Sequence, residues 1–254
     1  MQASIILTVA QSKRLIARAV AQMPEVKLAL ANGMVAIGRG TTNGYVAEEI
    51  LGRGLPKGEY VAGRTLPPGT PDEWFGTMKH PDIVLRNSQL VEGLTVVDSV
   101  KEMKAGDVFI KGANALNYDQ QVAGILVGHP MGGTISTYGA LISRKVHLII
   151  PIGLEKLVYA DINDLSRATR LAEDHPKAPV TSLHPITGTI VTEIEALNLL
   201  FGVDATLYSA GGVAGAEGAV WLLLEGSKSQ LDDALALHKE LKSEPNLGLA
   251  NKPA

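Results

Sequence analysis

No cysteine occurs among the 254 residues of the chain. That excludes disulfide bridges, thiolate metal ligands and cysteine nucleophiles. Aromatic residues are scarce, with 3 Phe, 2 Trp and 6 Tyr, so the core must be built mainly from aliphatic side chains. An excess of positive charge is missing too. Lys and Arg number 23 against 26 Asp and Glu, a net charge of −3. Affinity for nucleic acid rests largely on neutralising phosphates, so this balance argues against a nucleic-acid partner. No stretch offers the roughly 18 uninterrupted apolar residues that a membrane span needs. The opening MQASIILTVAQSKRLIARAV makes a poor secretory leader, because no basic residue precedes Ile5 and Lys13, Arg14 and Arg18 interrupt the apolar run. The expectation is a cytoplasmic protein with no membrane partner. No histidine pair has metal-ligand spacing and no G-x-S-x-G elbow occurs, which disfavours zinc-hydrolase and α/β-hydrolase chemistry. Neither a metal nor a cofactor is expected.

What the chain does have is glycine, 27 residues of it, placed repeatedly after short apolar runs. Met34-Val35-Ala36-Ile37 reads as a strand buried on both faces, followed by Gly38-Arg39-Gly40-Thr41-Thr42-Asn43 and then a helix carrying Tyr45, Val46, Glu49 and Ile50. Asp107 to Ile110 is a second such strand, ending in Lys111-Gly112-Ala113-Asn114, with Asp107 at the far end and structural. A third unit runs from Gly124 to Val127 through a turn at Gly128 to Thr134 into a helix reaching about Ser143, and Val146 to Ile150 is again a buried strand. Further strands are expected at Ser4 to Val9, Tyr60 to Leu66, Asp82 to Leu85 and Leu94 to Val97. Helices are expected at Gln11 to Met23 and Lys101 to Lys104. Strands alternating with helices at this spacing predict an α/β fold with a mostly parallel, Rossmann-like sheet over residues 1–155. Beyond Pro151 the pattern shifts to helices at 162–172, 192–201 and 227–242 with neighbouring strands at 205–209 and 219–224, a smaller α+β region over 156–254. Gly52 to Lys79 is an irregular excursion, and a loop of that length is usually functional or a lid. Trp74 and Phe75 within it read as anchors to the body.

Ligands of open α/β sheets sit beyond the carboxyl ends of the strands. Three glycine-rich turns lie at such ends. In the first, backbone amides at a helix N-terminus, with Gly38, Gly40, Thr41, Thr42 and Asn43, would hold an anion, and Arg39 would clamp it; the bland reading is a tight turn with a surface arginine. In the second, Lys111 is a candidate cation or catalytic group, and Gly112, Asn114 and Asn117 are candidate ligand contacts; a solvated surface lysine is the alternative. In the third, His129 is the best-placed group for acid–base work, and Gly132, Gly133 and Thr134 would form a second anion nest. A lone loop histidine can equally be structural. His184, Glu193 and Lys156 would approach from the smaller region. Gly211 to Gly218 lacks the G-x-G-x-x-G spacing and reads as a hairpin or subunit contact.

GRGTTNGYVAEEI resembles the phosphate turn of ribose-5-phosphate isomerases and glucosamine-6-phosphate deaminases, which share a fold with CoA transferases. DVFIKGANALN and the downstream GGT are similar to the D-x-x-x-x-G-A-D strand and G-T of those isomerases. The methylthioribose-1-phosphate isomerase and initiation-factor 2B-like branch has a comparable arrangement. The resemblance covers about residues 34–155. It implies a sugar-phosphate-type ligand and a tendency to form homo-oligomers. Where those isomerases carry aspartates, this chain has Asn114 and Asn117, and an amide cannot take up a proton, so their acid–base role does not carry over. The expected function is binding of a phosphorylated small molecule, with isomerase-type catalysis through His129 or Lys111 as one form of it. A non-catalytic sensor on the same scaffold and a CoA-ester enzyme are the alternatives.

Overall fold

Short aliphatic runs and well-capped helices give the chain its elements. The computed structural model describes residues 1–63, 65–66, 68–70, 80–128, 133–171 and 173–247, with only the backbone of 133 and 134. In order they form β1 (Gln2–Leu7), α1 (Val9–Gln22), α2 (Pro24–Asn32), β2 (Met34–Ile37), α3 (Thr41–Leu51), β3 (Ile83–Arg86), β4 (Gln89–Leu90) and α4 (Val96–Ser99). Next come β5 (Val108–Ile110), β6 (Ala115–Asn117), β7 (Val122–Val127), α5 (Gly133–Ser143), β8 (His147–Pro151) and a 3-10 turn at Leu154–Lys156. The chain continues with α6 (Ile162–Arg170), β9 (Ser182–Ile186), β10 (Thr189–Val191), α7 (Glu193–Phe201), β11 (Asp204–Ala210), β12 (Val220–Glu225) and α8 (Lys228–Leu241). Helices α1, α7 and α8 each begin with a reciprocal capping box, Thr8 with Gln11, Thr192 with Glu195 and Ser227 with Gln230, which satisfies two orphan donors at each start.

The fold is α/β, with a Rossmann-like sheet and antiparallel additions. Six strands lie in the order β10-β8-β5-β2-β3-β4. The first four are mutually parallel and β3 and β4 are antiparallel. β2 and β5 are buried at every position, as strands covered on both faces must be. From β2 the chain goes first to β3 on one side and returns at β5 on the other, so the strand order reverses around β2. Two three-stranded sheets flank this one, β1-β12-β11 and β6-β7-β9. The first strand of the chain thus pairs antiparallel with its last, Gln2 opposite Glu225 and Leu7 opposite Val220.

Several expectations are corrected. Tyr60 to Leu66 forms no strand among its described residues. The residues around Leu94 to Val97 open helix α4 instead, because Thr95 caps it by accepting from the Asp98 amide. The 101–104 segment is turn and coil. Lys13, on α1, is only 8% exposed. Residues 71–79, with Trp74 and Phe75, lie outside the described residues, as do His129 and Gly132.

Candidate functional site

The end of β2 is built to expose a helix start. Gly38 donates its amide to the Ile110 carbonyl at 2.8 Å, and Gly40 donates to the Tyr60 carbonyl at 2.9 Å. Tyr60, wholly buried, returns a hydroxyl bond of 2.5 Å to the Ile37 carbonyl, so the excursion after α3 braces the turn it follows. Asn43 Nδ2 donates to the Gly38 carbonyl at 2.5 Å and ties the first turn of α3 back to the strand. On its outer side α3 is held by Arg14, whose guanidinium pairs with Glu48, Glu49 and Glu244 and lies 4.7 Å from the centre of the Tyr45 ring.

With the helix fixed this way, the amides of Thr41, Thr42 and Asn43 have no acceptor among the described residues. Such amides carry the positive end of the helix dipole. The side chains beside them are unsatisfied as well: Thr42 Oγ1 and Asn43 Oδ1 are buried without a hydrogen-bond partner. All three residues line a cavity of about 550 Å³ at the carboxyl ends of β2 and β5, beside the reversal of strand order, where ligands of open α/β sheets bind.

Its other walls bring two lysines together. Lys111 follows β5, anchored by its amide to the Ile149 carbonyl at 3.0 Å, and its Nζ donates to the Arg39 carbonyl at 3.0 Å. Lys156, on the 3-10 turn after β8, points Nζ at the Ala113 carbonyl, 2.7 Å away. Neither lysine has an ion-pair partner among the described residues. An ammonium has three donors, and one is used in each case, so two protons per lysine are left for a ligand. No carboxylate lines the cavity among the described residues. Burial, and secondarily the charge of Lys156, pushes the Lys111 amine down to about 8. Burial also lowers Lys156, although the carboxylates Glu155 and Glu193 hold part of its affinity for a proton.

Gly112 is required where β5 gives way to the wall. A Cβ there would stand 3.2 Å from the Pro151 carbonyl oxygen and 3.5 Å from Asn43 Oδ1, so glycine relieves a tight approach where the two strand ends and α3 meet.

The structure therefore gathers Arg39, Gly40, Thr41, Thr42, Asn43, Lys111, Gly112 and Asn114 around one cavity. Gly38 does not line it and serves the turn through its amide and carbonyl. Arg39, expected as a clamp, is paired with Asp82 at 2.8 Å. Asn114 sits at the rim with Oδ1 accepting from the Leu126 amide at 3.0 Å. Asn117 is not among the residues lining the cavity; it donates to the Ala160 carbonyl at 3.1 Å, tying the end of β6 to the segment before α6, and accepts from the Gln120 amide at 3.1 Å in the turn after β6. Gly133 and Thr134 open α5, and their side chains are not described.

Lys156 belongs to the cavity wall more firmly than its sequence context signals. Glu193 does not line it: fully buried at the first turn of α7, it accepts from the Leu154 amide at 2.9 Å through Oε2, behind Lys156. Burial, with Glu155 adding to it, lifts its carboxyl to about 7. His184 lies on β9 with its ring edge-on to Tyr138, 5.8 Å between centroids, and is not in the cavity wall.

Among the described residues no group of acidic or histidine side chains could hold a metal ion, and no helix is long and apolar enough to cross a membrane. Compared with protein-family models, curated proteins and solved structures, the chain matches none of them.

Proposed function

We propose that this cleft binds a phosphorylated small molecule, of the sugar-phosphate or nucleotide-like class. The observation that carries the reading is the convergence on one cavity of three helix amides and two lysines that, among the described residues, have no acceptor and no counter-ion respectively. Two buried like charges cost free energy in an empty site, and a dianionic phosphate is the group that would offset it. The cavity has the size of small-molecule sites. Its apolar wall of Ile125, Val127 and Ile135 would face the carbon skeleton. The isomerase-like resemblance points the same way.

A non-catalytic sensor is the second reading. Asn114 and Asn117 both hydrogen-bond the backbone through their side-chain amides, and no carboxylate faces the cavity among the described residues, so isomerase chemistry by paired acids has no counterpart among them. Any catalysis falls to Lys111, or to His129 outside the described residues.

The test is thermal unfolding with ribose 5-phosphate against ribose. At 100 times its dissociation constant the phosphate ester should stabilise by about 2.7 kcal/mol, ribose should not, and the Lys111→Met, Lys156→Met double variant should lose the effect. Equal shifts from both compounds, or none, would overturn the reading.

A further inference from the structure

Thr41, Thr42, Asn43 and Lys111 line the same cavity. We propose that Lys111 is a carbonyl-directed amine, and that the ligand of this cleft is a phosphorylated aldehyde or ketone which Lys111 captures as an imine. The proposal rests on the anion-site reading above and adds to it the substrate class and a covalent role.

Only a neutral amine has the lone pair that attacks a carbonyl carbon. Burial and the neighbouring Lys156 disfavour the charge of Lys111. It has no carboxylate partner among the described residues, Ile125 and Ile135 line the cavity with it, and the positive Lys156 shares that cavity. Arg39, which also lines the wall, is paired with Asp82. With its amine held near 8, about one Lys111 in ten is uncharged at neutral pH, against about one in several thousand for an ordinary lysine. The hydrogen bond to the Arg39 carbonyl uses an N–H and leaves the lone pair of the neutral form free. A desolvated lysine beside a second cation is a recognised way to prepare this nucleophile.

The step balances without any oxidant or reductant. Nζ forms a bond to the carbonyl carbon while the C=O π pair moves to oxygen. A proton passes from nitrogen to that oxygen, the C–O bond then breaks, and water leaves as C=N forms. Lys156, held by the Ala113 carbonyl in the same cavity, is the acid at hand to supply the proton that lets the hydroxyl depart, and it takes back the proton left on nitrogen as the neutral imine forms.

The test is reductive trapping on the full chain. Erythrose 4-phosphate and, separately, erythrose are added with cyanoborohydride at neutral pH, and the adduct is located by peptide mass mapping. The expected result is one secondary-amine adduct per chain, on Lys111, formed at least about tenfold faster with the phosphate ester than with erythrose. Lys111→Arg should abolish it, inorganic phosphate should bind the wild-type chain by calorimetry, and added phosphate should protect the wild-type lysine. Labelling spread over surface lysines, or unchanged in Lys111→Arg, overturns the proposal. Calorimetric phosphate binding without Lys111 labelling overturns the imine alone, whereas no phosphate binding in either protein overturns the anion site with it.

Discussion

Lys111 burdens the fold it sits in. Its amine is depressed from 10.5 to about 8, so between those values the unfolded chain holds a proton that the folded chain has released. Stability therefore rises with pH across that window, and below it the full penalty applies, about 3 kcal/mol. Lys111→Met keeps the stem and drops the charge. It should melt higher than wild type at neutral pH, by up to about 3 kcal/mol, with the gap closing towards pH 10.5 in a denaturation series. Wild type melting higher at neutral pH would contradict the picture of an uncompensated buried cation. Glu193 carries the opposite sign. Its carboxyl is raised from 4.5 to about 7, so the folded chain holds the extra proton and stability is lost as pH climbs through that interval. Glu193→Gln, which retains an oxygen for the Leu154 amide, should flatten the loss, and the same series measures it. At this scale the sequence was readable for Lys111, Arg39 and the Thr41 to Asn43 amides, because each follows a strand whose apolar run announces it. Lys13, Lys156 and Glu193 were harder. Their burial depends on α1, the 3-10 turn and α7 packing together, and nothing within a window of neighbours reports that.

Elements that read well were those with a local cause. The run Met34 to Ile37 is a strand because it is aliphatic throughout, and Thr192 and Ser227 start helices because each can accept from its own first turn. Asp107 ties two such elements. Its Oδ1 accepts from the Met34 amide and its Oδ2 from the Lys104 amide, both at 2.8 Å, so the starts of β2 and β5 are stitched by one carboxylate. Asp107→Ala leaves those donors without their acceptor and should cost about 2–4 kcal/mol in chemical denaturation; a change under about 0.5 kcal/mol would show the stitch to be redundant. Strand β9 was illegible for the complementary reason. SLHPI looks broken by Pro185, yet β9 is the edge of the β6-β7-β9 sheet, where proline is tolerated. Residues 94–97 deceived in the other direction, since an apolar run of four fits a strand or a helical turn and only the Thr95 cap decides between them.

Across the whole molecule, the α/β class and the parallel run of β2, β5 and β8 followed from alternation, and the position of the cavity followed from the rule for strand ends. The pairing of β1 with β12 did not, because 223 residues separate Gln2 from Glu225 and hydrophobic pattern carries no partner information over that span. What the assembled molecule adds is convergence. Amides from α3, an amine from the end of β5 and another from the turn after β8 reach one cavity only because β8, β5 and β2 are adjacent in the sheet. The claim that this convergence is an anion site is tested most directly by following backbone amide resonances while inorganic phosphate is titrated into the full chain. The amides of Thr41, Thr42 and Asn43 should shift saturably with a single dissociation constant, and the shifts should vanish in Lys111→Met, Lys156→Met. Phosphate that leaves those three amides unmoved, or moves them no more than exposed surface amides, would contradict the account.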